Sequence, residues 1–137
     1  MRARPSLAAA LCAVAGALGF AFACKSTTGN NCGSGTPPSL VGTYALQSLT
    51  LGVGTPLTSP QETGTLRFHA TTYGVDLTGA LVQSDTGTYA VTGSSCISQN
   101  SAIAAPFIGT FTLVGSTLSV AGSQGGQAVA SVWTKTS

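Results

Sequence analysis

The sequence predicts an all-β protein, an antiparallel meander of about eight short strands that closes into a small up-and-down barrel. A pattern that reads Gly-Thr-apolar-any-apolar begins at Gly42, Gly64, Gly87 and Gly109, about 22 residues apart. Each copy alternates like a half-buried strand, with a glycine where the chain enters it, and no stretch shows a convincing helical period with caps. One unit holds a hairpin, so four units in series make a barrel or, alternatively, a β-sandwich.

The first repeat predicts one long strand followed by a loop. The strand begins near Val41 and carries Tyr44 and Leu46. Its alternation slips before Leu49, which predicts a β-bulge. Residues 52–60 are rich in glycine and proline and predict a loop that contains one short edge strand.

The second repeat predicts a hairpin whose first strand has Arg67 and His69 on its outward face. With a turn centred on residues 71–72, Arg67 lies directly opposite Asp76. An exposed cross-strand ion pair of this kind contributes roughly 0.2–1 kcal/mol. The inward positions of the hairpin are Leu66, Phe68, Tyr73, Val75 and Leu77.

The third and fourth repeats complete the meander. Their inward positions are Tyr89, Val91, Phe111 and Leu113. We expect connections at 79–86, 114–116 and 122–126, strands at 117–120 and 128–134, and a short helix or an irregular strand within 97–108.

The composition excludes several classes of protein. Only 6% of the residues are charged, against about 25% in typical proteins. Arg2 and Arg4 lie in a predicted leader, and the rest of the chain has three basic and three acidic residues. Since no basic patch can neutralise phosphates, we expect no nucleic-acid partner. Hydrophobic residues are 43% of the chain and alternate, which is typical of a secreted or surface β-protein and not of disorder.

The chain divides into three predicted segments. Residues 1–23 have the basic start, the apolar run and the small-any-small end of a secretory signal peptide. The apolar run is shorter than the ~20 residues that span a bilayer, which disfavours a transmembrane anchor. Residues 24–39 are polar and punctuated by Gly and Pro, as in a flexible tether, and residues 40–137 form the all-β domain.

The residues around the predicted cleavage site, Ala-Phe-Ala-Cys at 21–24, resemble the lipobox of bacterial lipoproteins. The resemblance implies that the signal is cut before Cys24 and that the Cys24 thiol carries diacylglycerol, so the membrane is a partner through this anchor. Lys25, rather than an acidic residue, implies the outer membrane in that family. Alternatively, ordinary cleavage at the same bond leaves an unmodified Cys24 in a periplasmic or secreted protein.

The cysteines predict a disulfide. Cys12 lies in the leader, and if Cys24 is lipidated, Cys32 and Cys96 are left to pair in an oxidising compartment. If Cys24 is free, a Cys24–Cys32 bond competes. Since the chain has no Cys/His cluster with metal-ligand spacing, we expect no metal site.

The sequence gives little support to catalysis. His69 is the only histidine, and we interpret it as a surface residue because no serine stands in a nucleophile-elbow context. No glycine-rich motif for a nucleotide precedes a helix, so we expect no cofactor and no enzymatic activity. Trp133 is interpreted as a core or barrel-closing residue. The inward aromatic residues, which fill a small barrel or line a ligand pocket, are Tyr44, Phe68, Tyr73, Tyr89 and Phe111.

The domain opens at residues 40–48 with Leu-Val-Gly-Thr-Tyr-Ala-Leu-Gln-Ser, which resembles the start of bacterial lipocalin-like domains. Residues 64–68 and 132–135 fit the same family pattern. The resemblance implies an up-and-down barrel that binds a small apolar ligand. The alternative function is a non-enzymatic structural or adhesive surface module in the cell envelope, and nothing in the sequence indicates an oligomeric state.

Overall fold

The computed structural model of this protein describes residues 32–137, and within this range it contains nine β-strands. Apart from the short β2, each strand pairs antiparallel with the next, and β1 also pairs with β9, which closes an eight-stranded barrel. The predicted up-and-down barrel is therefore confirmed, and the β-sandwich alternative is wrong. The strands are β1 (Gly42–Leu51), β2 (Leu57–Thr58), β3 (Glu62–Phe68), β4 (Thr72–Gly79), β5 (Gln83–Thr92), β6 (Cys96–Ser101), β7 (Phe107–Val114), β8 (Thr117–Gln124) and β9 (Gln127–Lys135).

The four copies of the repeated pattern fall in β1, β3, β5 and β7, but only Gly42 stands at the start of its strand. The expectation that each glycine marks a strand entry is wrong for the other three copies. A Cβ at Gly64 would lie 2.7 Å from Leu77 Cδ2, and one at Gly109 would lie 2.8 Å from Phe107 Cζ. A Cβ at Gly109 would also overlap the Ala121 carbonyl oxygen of the neighbouring strand, so these glycines leave room both for large side chains and for close approach of the backbones.

Strand β1 carries the predicted bulge. Its register with β9 shifts between Leu46 and Ser48, so the inward face changes parity and both Leu46 and Leu49 are buried. The first half of β1 pairs with β3, and its second half pairs with β2, the predicted edge strand. The bulge and the short edge strand are both confirmed.

The β3–β4 hairpin has a different register from the predicted one. Phe68 pairs with Tyr73, Arg67 with Gly74, and Thr65 with Asp76, so the turn lies one residue earlier than expected. Arg67 is therefore diagonal to Asp76 and not directly opposite. The long guanidinium still reaches the carboxylate, with Nη1 3.4 Å from Oδ2, so the ion pair forms on the solvent face.

Three predicted connections are shorter in the structure. The loop expected at 79–86 is reduced to residues 80–82, the connection expected at 114–116 to residues 115–116, and the connection expected at 122–126 to residues 125–126. Within 97–108 the structure has strand β6, and residues 102–106 connect it to β7. The sequence did not predict strands at the ends of β5, β6 and β8. Some of the inward positions there are polar, so the alternation of apolar and polar residues that indicates a strand is absent.

One end of the barrel is filled by packed side chains. We call this the closed end, and it carries the β3–β4, β5–β6 and β7–β8 turns. The Tyr44 and Phe68 rings meet edge to face with centroids 6.1 Å apart, and Tyr89 lies 4.6 Å from Phe68. The buried Leu40 lies beside this cluster, because its carbonyl accepts a hydrogen bond of 2.9 Å from the Tyr44 hydroxyl.

The predicted Cys32–Cys96 disulfide is present and joins the segment before β1 to the start of β6. The Cys32 carbonyl also accepts hydrogen bonds from the amides of Ser94 and Ser95, in the β5–β6 turn. Residues 32–39, which the sequence assigns to the tether, thus belong to the same compact unit as the barrel. The predicted signal peptide, Cys24 and the first part of the tether lie outside the described residues.

Reduction of the disulfide is expected to lower the free energy of unfolding by about 4 kcal/mol, because the bond closes a loop across 64 residues of sequence. Denaturant unfolding with and without reductant measures this difference. The Cys96→Ser variant, which cannot form the bond, should unfold at the same low denaturant midpoint in both conditions. An unchanged midpoint of the unsubstituted chain on reduction would contradict the expectation.

Gly87→Ala is expected to destabilise the barrel by about 1–3 kcal/mol. Its Cβ would overlap the Asn100 carbonyl oxygen and lie 3.1 Å from the Tyr73 ring. The matched control is Gly74→Ala on the neighbouring strand, where the new methyl group finds nothing closer than 3.7 Å. Thermal unfolding should show a loss for the first variant and no loss for the second, since alanine there reduces the entropy of the unfolded chain. Equal effects would show that inward glycines are not required.

Candidate ligand cavity

A cavity of about 340 Å³ occupies the other half of the barrel interior. We call this the open end; it carries the β4–β5, β6–β7 and β8–β9 connections. The cavity reaches solvent there, since its lining includes the exposed side chains of Gln83 and Gln127. The barrel is therefore filled at one end and hollow at the other.

Most of the cavity is lined by an apolar surface that we call the wall. The wall exists because β1, β3, β4 and β6 to β9 all place aliphatic or aromatic side chains inward in this half of the barrel. The wall includes Leu66, Phe68, Ile97, Phe107, Val129 and Trp133. Trp133 is 4% exposed, which confirms it as a core residue, and its indole N–H donates to the Ser131 hydroxyl at 2.8 Å.

Near the mouth the lining becomes polar, and we call this part the rim. The rim consists of Gln83, Asp85, Gln99, Gln124, Gln127 and Ser131. The Gln124 amide donates to the Ala105 carbonyl at 2.8 Å. The amides of the other three glutamines make no hydrogen bond to any described residue. They are available to a ligand as neutral donors and acceptors.

Asp85 is the one charged residue among the described residues that line the cavity, and it is only 6% exposed. Its Oδ2 accepts a hydrogen bond of 2.9 Å from the Tyr73 hydroxyl, and its Oδ1 accepts one of 2.8 Å from Ser101. The Ser101 oxygen accepts in turn from the amides of Ile103 and Ala104, which ties the carboxylate to the β6–β7 loop.

The Tyr73 ring reaches Asp85 because Gly87 leaves its path open. Tyr73 pairs with Gly87 across the β4–β5 ladder, and Asp85 is the next inward residue of β5. Burial, the hydrogen bond to Asp85 and the negative charge of that carboxylate together raise the pKa of Tyr73 well above its ordinary value. Tyr73 therefore stays a neutral donor that holds the carboxylate in place.

A second carboxylate, Glu62, is fully buried at the same end of the barrel. Its Oε1 accepts a hydrogen bond of 2.8 Å from the amide of Leu81, whose side chain lines the cavity. Its Oε2 has no hydrogen-bond partner among the described residues. Buried polar atoms are usually paired, so this carboxylate stands out.

The structure separates the five predicted pocket aromatics into two groups. Phe68 and Tyr73 line the cavity, whereas Tyr44 and Tyr89 pack at the closed end and Phe111 is buried outside the lining. Whether any of them contacts a ligand stays a prediction. Sequence reasoning missed the rim, although Gln83 and Asp85 have the same strand parity as the inward Tyr89 and so could have been found.

The structure places the single histidine away from the cavity. His69 is exposed in the β3–β4 turn at the closed end, and its side chain makes no hydrogen bond or ion pair within residues 32–137. Its carbonyl accepts a hydrogen bond from the Tyr89 hydroxyl at 2.7 Å. The described residues contain no group of three or more His, Cys, Asp or Glu side chains that could hold a metal ion, and no helix long and apolar enough to cross a membrane.

Comparisons with protein-family models, with curated proteins and with solved structures gave no match to this chain.

Above pH ~10, the stability of the protein is expected to fall with rising pH, and Tyr73→Phe should flatten this fall. The folded-state pKa of Tyr73 is raised, so its contribution is complete below the unfolded value and is lost as the unfolded chain ionises. Denaturant unfolding at several alkaline pH values measures the slope. Tyr89→Phe is the control, since burial alone raises that pKa, and its slope should change less. Equal slopes for the two variants would contradict the role given to Asp85.

Proposed function

We propose that this protein is a lipid-anchored protein of the bacterial cell envelope whose barrel binds one small, mainly apolar ligand in the cavity. The observation that supports the proposal is the combination of an apolar wall with a polar rim at the mouth. Ligand sites are mostly apolar concavities with a few polar groups that fix orientation. A barrel that served only as a scaffold would gain stability from filling this space.

The size of the cavity limits the ligand. Its volume of about 340 Å³ lies near the lower end of the ~300–1,000 Å³ typical of ligand pockets. At ~30 Å³ for each water-sized group, about ten non-hydrogen atoms fit. The ligand, or the part of it that enters the barrel, is thus comparable to an eight-carbon chain with a small head group.

The disulfide supports the proposed anchoring geometry. Cys32 is joined to Cys96 at the closed end of the barrel, opposite the mouth of the cavity. In the proposal, the tether that leads from a lipidated Cys24 continues into the barrel domain at Cys32, at the closed end.

A second candidate function is a structural or adhesive surface module. The observation that favours it is a set of exposed aliphatic side chains on the loops of the open end, namely Val53, Val82 and Ile103. A contiguous patch of exposed apolar side chains marks an interaction site, and these three residues all lie on connections at the same end of the barrel. Chemical cross-linking in the envelope distinguishes the two functions, because an adhesive module requires a stable protein contact and a ligand carrier does not.

Binding of 1-octanol is expected to shift the fluorescence of Trp133, the only tryptophan of the chain, which lies in the wall. Val129→Phe should weaken this binding at least about tenfold, because the larger side chain takes up cavity space. Ala128→Phe is the matched control, since Ala128 is exposed on the same strand and does not line the cavity. An unchanged Trp133 fluorescence on addition of 1-octanol, or an equal loss of 1-octanol binding in both variants, would contradict a ligand site in the barrel.

A further inference from the structure

The charged side chains of the described residues are unevenly distributed over the barrel. Arg67 lies near the closed end on the outer face, where it is paired with Asp76. Lys135 also lies at the closed end, with its Nζ 5.9 Å from the centre of the Tyr44 ring. The two buried carboxylates, Glu62 and Asp85, both lie at the open end. The described residues thus place two carboxyl side chains, and no basic side chain, in the interior of the open end.

Asp85 has neutral hydrogen-bond partners only. The hydroxyls of Tyr73 and Ser101 each donate one hydrogen bond to it, and no Arg, Lys or His among residues 32–137 lies within ion-pair distance of it. Each carboxylate oxygen can accept a further hydrogen bond. A charge removed from water is costly unless it is paired, so a buried carboxylate that faces a cavity is a site for a cation.

Glu62 is a second buried carboxyl group at the same end of the barrel. Its Oε1 is hydrogen-bonded to the amide of Leu81, a lining residue of the cavity, and no basic side chain among residues 32–137 forms an ion pair with it. In a cleft with apolar walls, charges of one sign focus the field and attract a ligand of opposite charge. The remaining rim groups are neutral glutamines and a serine, which place no positive charge against an entering cation.

We propose that the ligand of the cavity is a small amphipathic amine, protonated at neutral pH. This inference rests on the proposed function and specifies its ligand class. The ammonium group donates hydrogen bonds to Asp85 and to the carbonyl oxygens of the rim glutamines. The apolar part of the ligand packs against Phe107, Ile97 and Trp133 in the wall. A carboxylate or phosphate ligand of the same size meets a like charge and is rejected.

Three probes of one chain length test the inference: octylamine, 1-octanol and octanoate, each titrated against the purified, oxidised full chain with Trp133 fluorescence as the readout. We expect octylamine to bind at least about tenfold more tightly than 1-octanol, as for hydrogen bonds to a charged group, and octanoate to bind more weakly than either. This comparison needs no variant, so it holds even if a substitution at the site prevents folding.

Variants locate the selectivity. Asp85→Asn keeps the shape of the side chain and should reduce the preference for octylamine over 1-octanol at least about tenfold. Asp76→Asn removes the same charge from the outer face and should leave the preference unchanged. An unchanged preference in Asp85→Asn, or an equal loss in the control, would overturn the assignment of Asp85.

The outcomes separate this inference from the function on which it rests. Failure of all three probes to bind would overturn the ligand-binding function itself. Binding of octanol and octanoate as tightly as octylamine would leave the function standing and overturn the amine. Preference for octanoate would mean that the carboxylates do not set the potential of the cavity.

Discussion

The interior of an eight-stranded barrel is just wide enough for side chains to fill it or to hold one small ligand, and this constraint governs the whole structure. At the closed end, the rings of Tyr44 and Tyr89 both pack against Phe68 and fill the interior. At the open end the inward positions hold aliphatic side chains and flexible glutamines, which leave a cavity of about 340 Å³. Whether the barrel is solid or hollow is thus decided position by position along each strand.

The inward glycines follow from the same constraint. An added Cβ at Gly64 would meet Leu77, and at Gly87 and Gly109 it would overlap a backbone carbonyl oxygen of the neighbouring strand and also crowd Tyr73 and Phe107. At Gly87 the consequence extends to the cavity, because the Tyr73 ring passes over it and holds Asp85. The repeated motif therefore connects the packing of the barrel to the chemistry of its mouth.

The positions of the few charged side chains are the second feature that determines the properties of the cavity. A chain with so few charged residues has little capacity to compensate a buried carboxylate, and here two of them lie at one end. Burial of such a group lowers stability unless a partner is bound, and natural proteins keep groups of this kind mainly where they serve a function. Because the chain has so few charged residues, the burial of Asp85 and Glu62 indicates a function more strongly than it would in an average protein.

Much of the fold could be predicted from the sequence, because alternation and glycine spacing report directly on strands. The bulge in β1, the edge strand β2 and the Cys32–Cys96 bond followed from local pattern and cysteine count. The β3–β4 register could not be fixed, since a shift of the turn by one residue changes every pair. The first half of β5 was missed because its inward positions are Gln83 and Asp85, whose polarity imitates a loop.

The candidate site was predicted less well, for a physical reason. Aromatic residues mark the inside of a barrel, but which of them fill it and which leave space depends on the three-dimensional arrangement of all strands. The sequence could name Phe68 and Tyr73 but could not separate them from Tyr44 and Tyr89. The rim requires six positions on four strands to meet at one end, which only the closed barrel reveals.

A crystal structure of the protein grown with octylamine tests amine binding in the cavity most directly. We expect the alkyl chain to lie in the cavity beside Trp133 and its nitrogen to lie within hydrogen-bond distance of Asp85. A cavity filled by rearranged side chains, or an amine bound only on the outer surface of the barrel, would contradict this expectation.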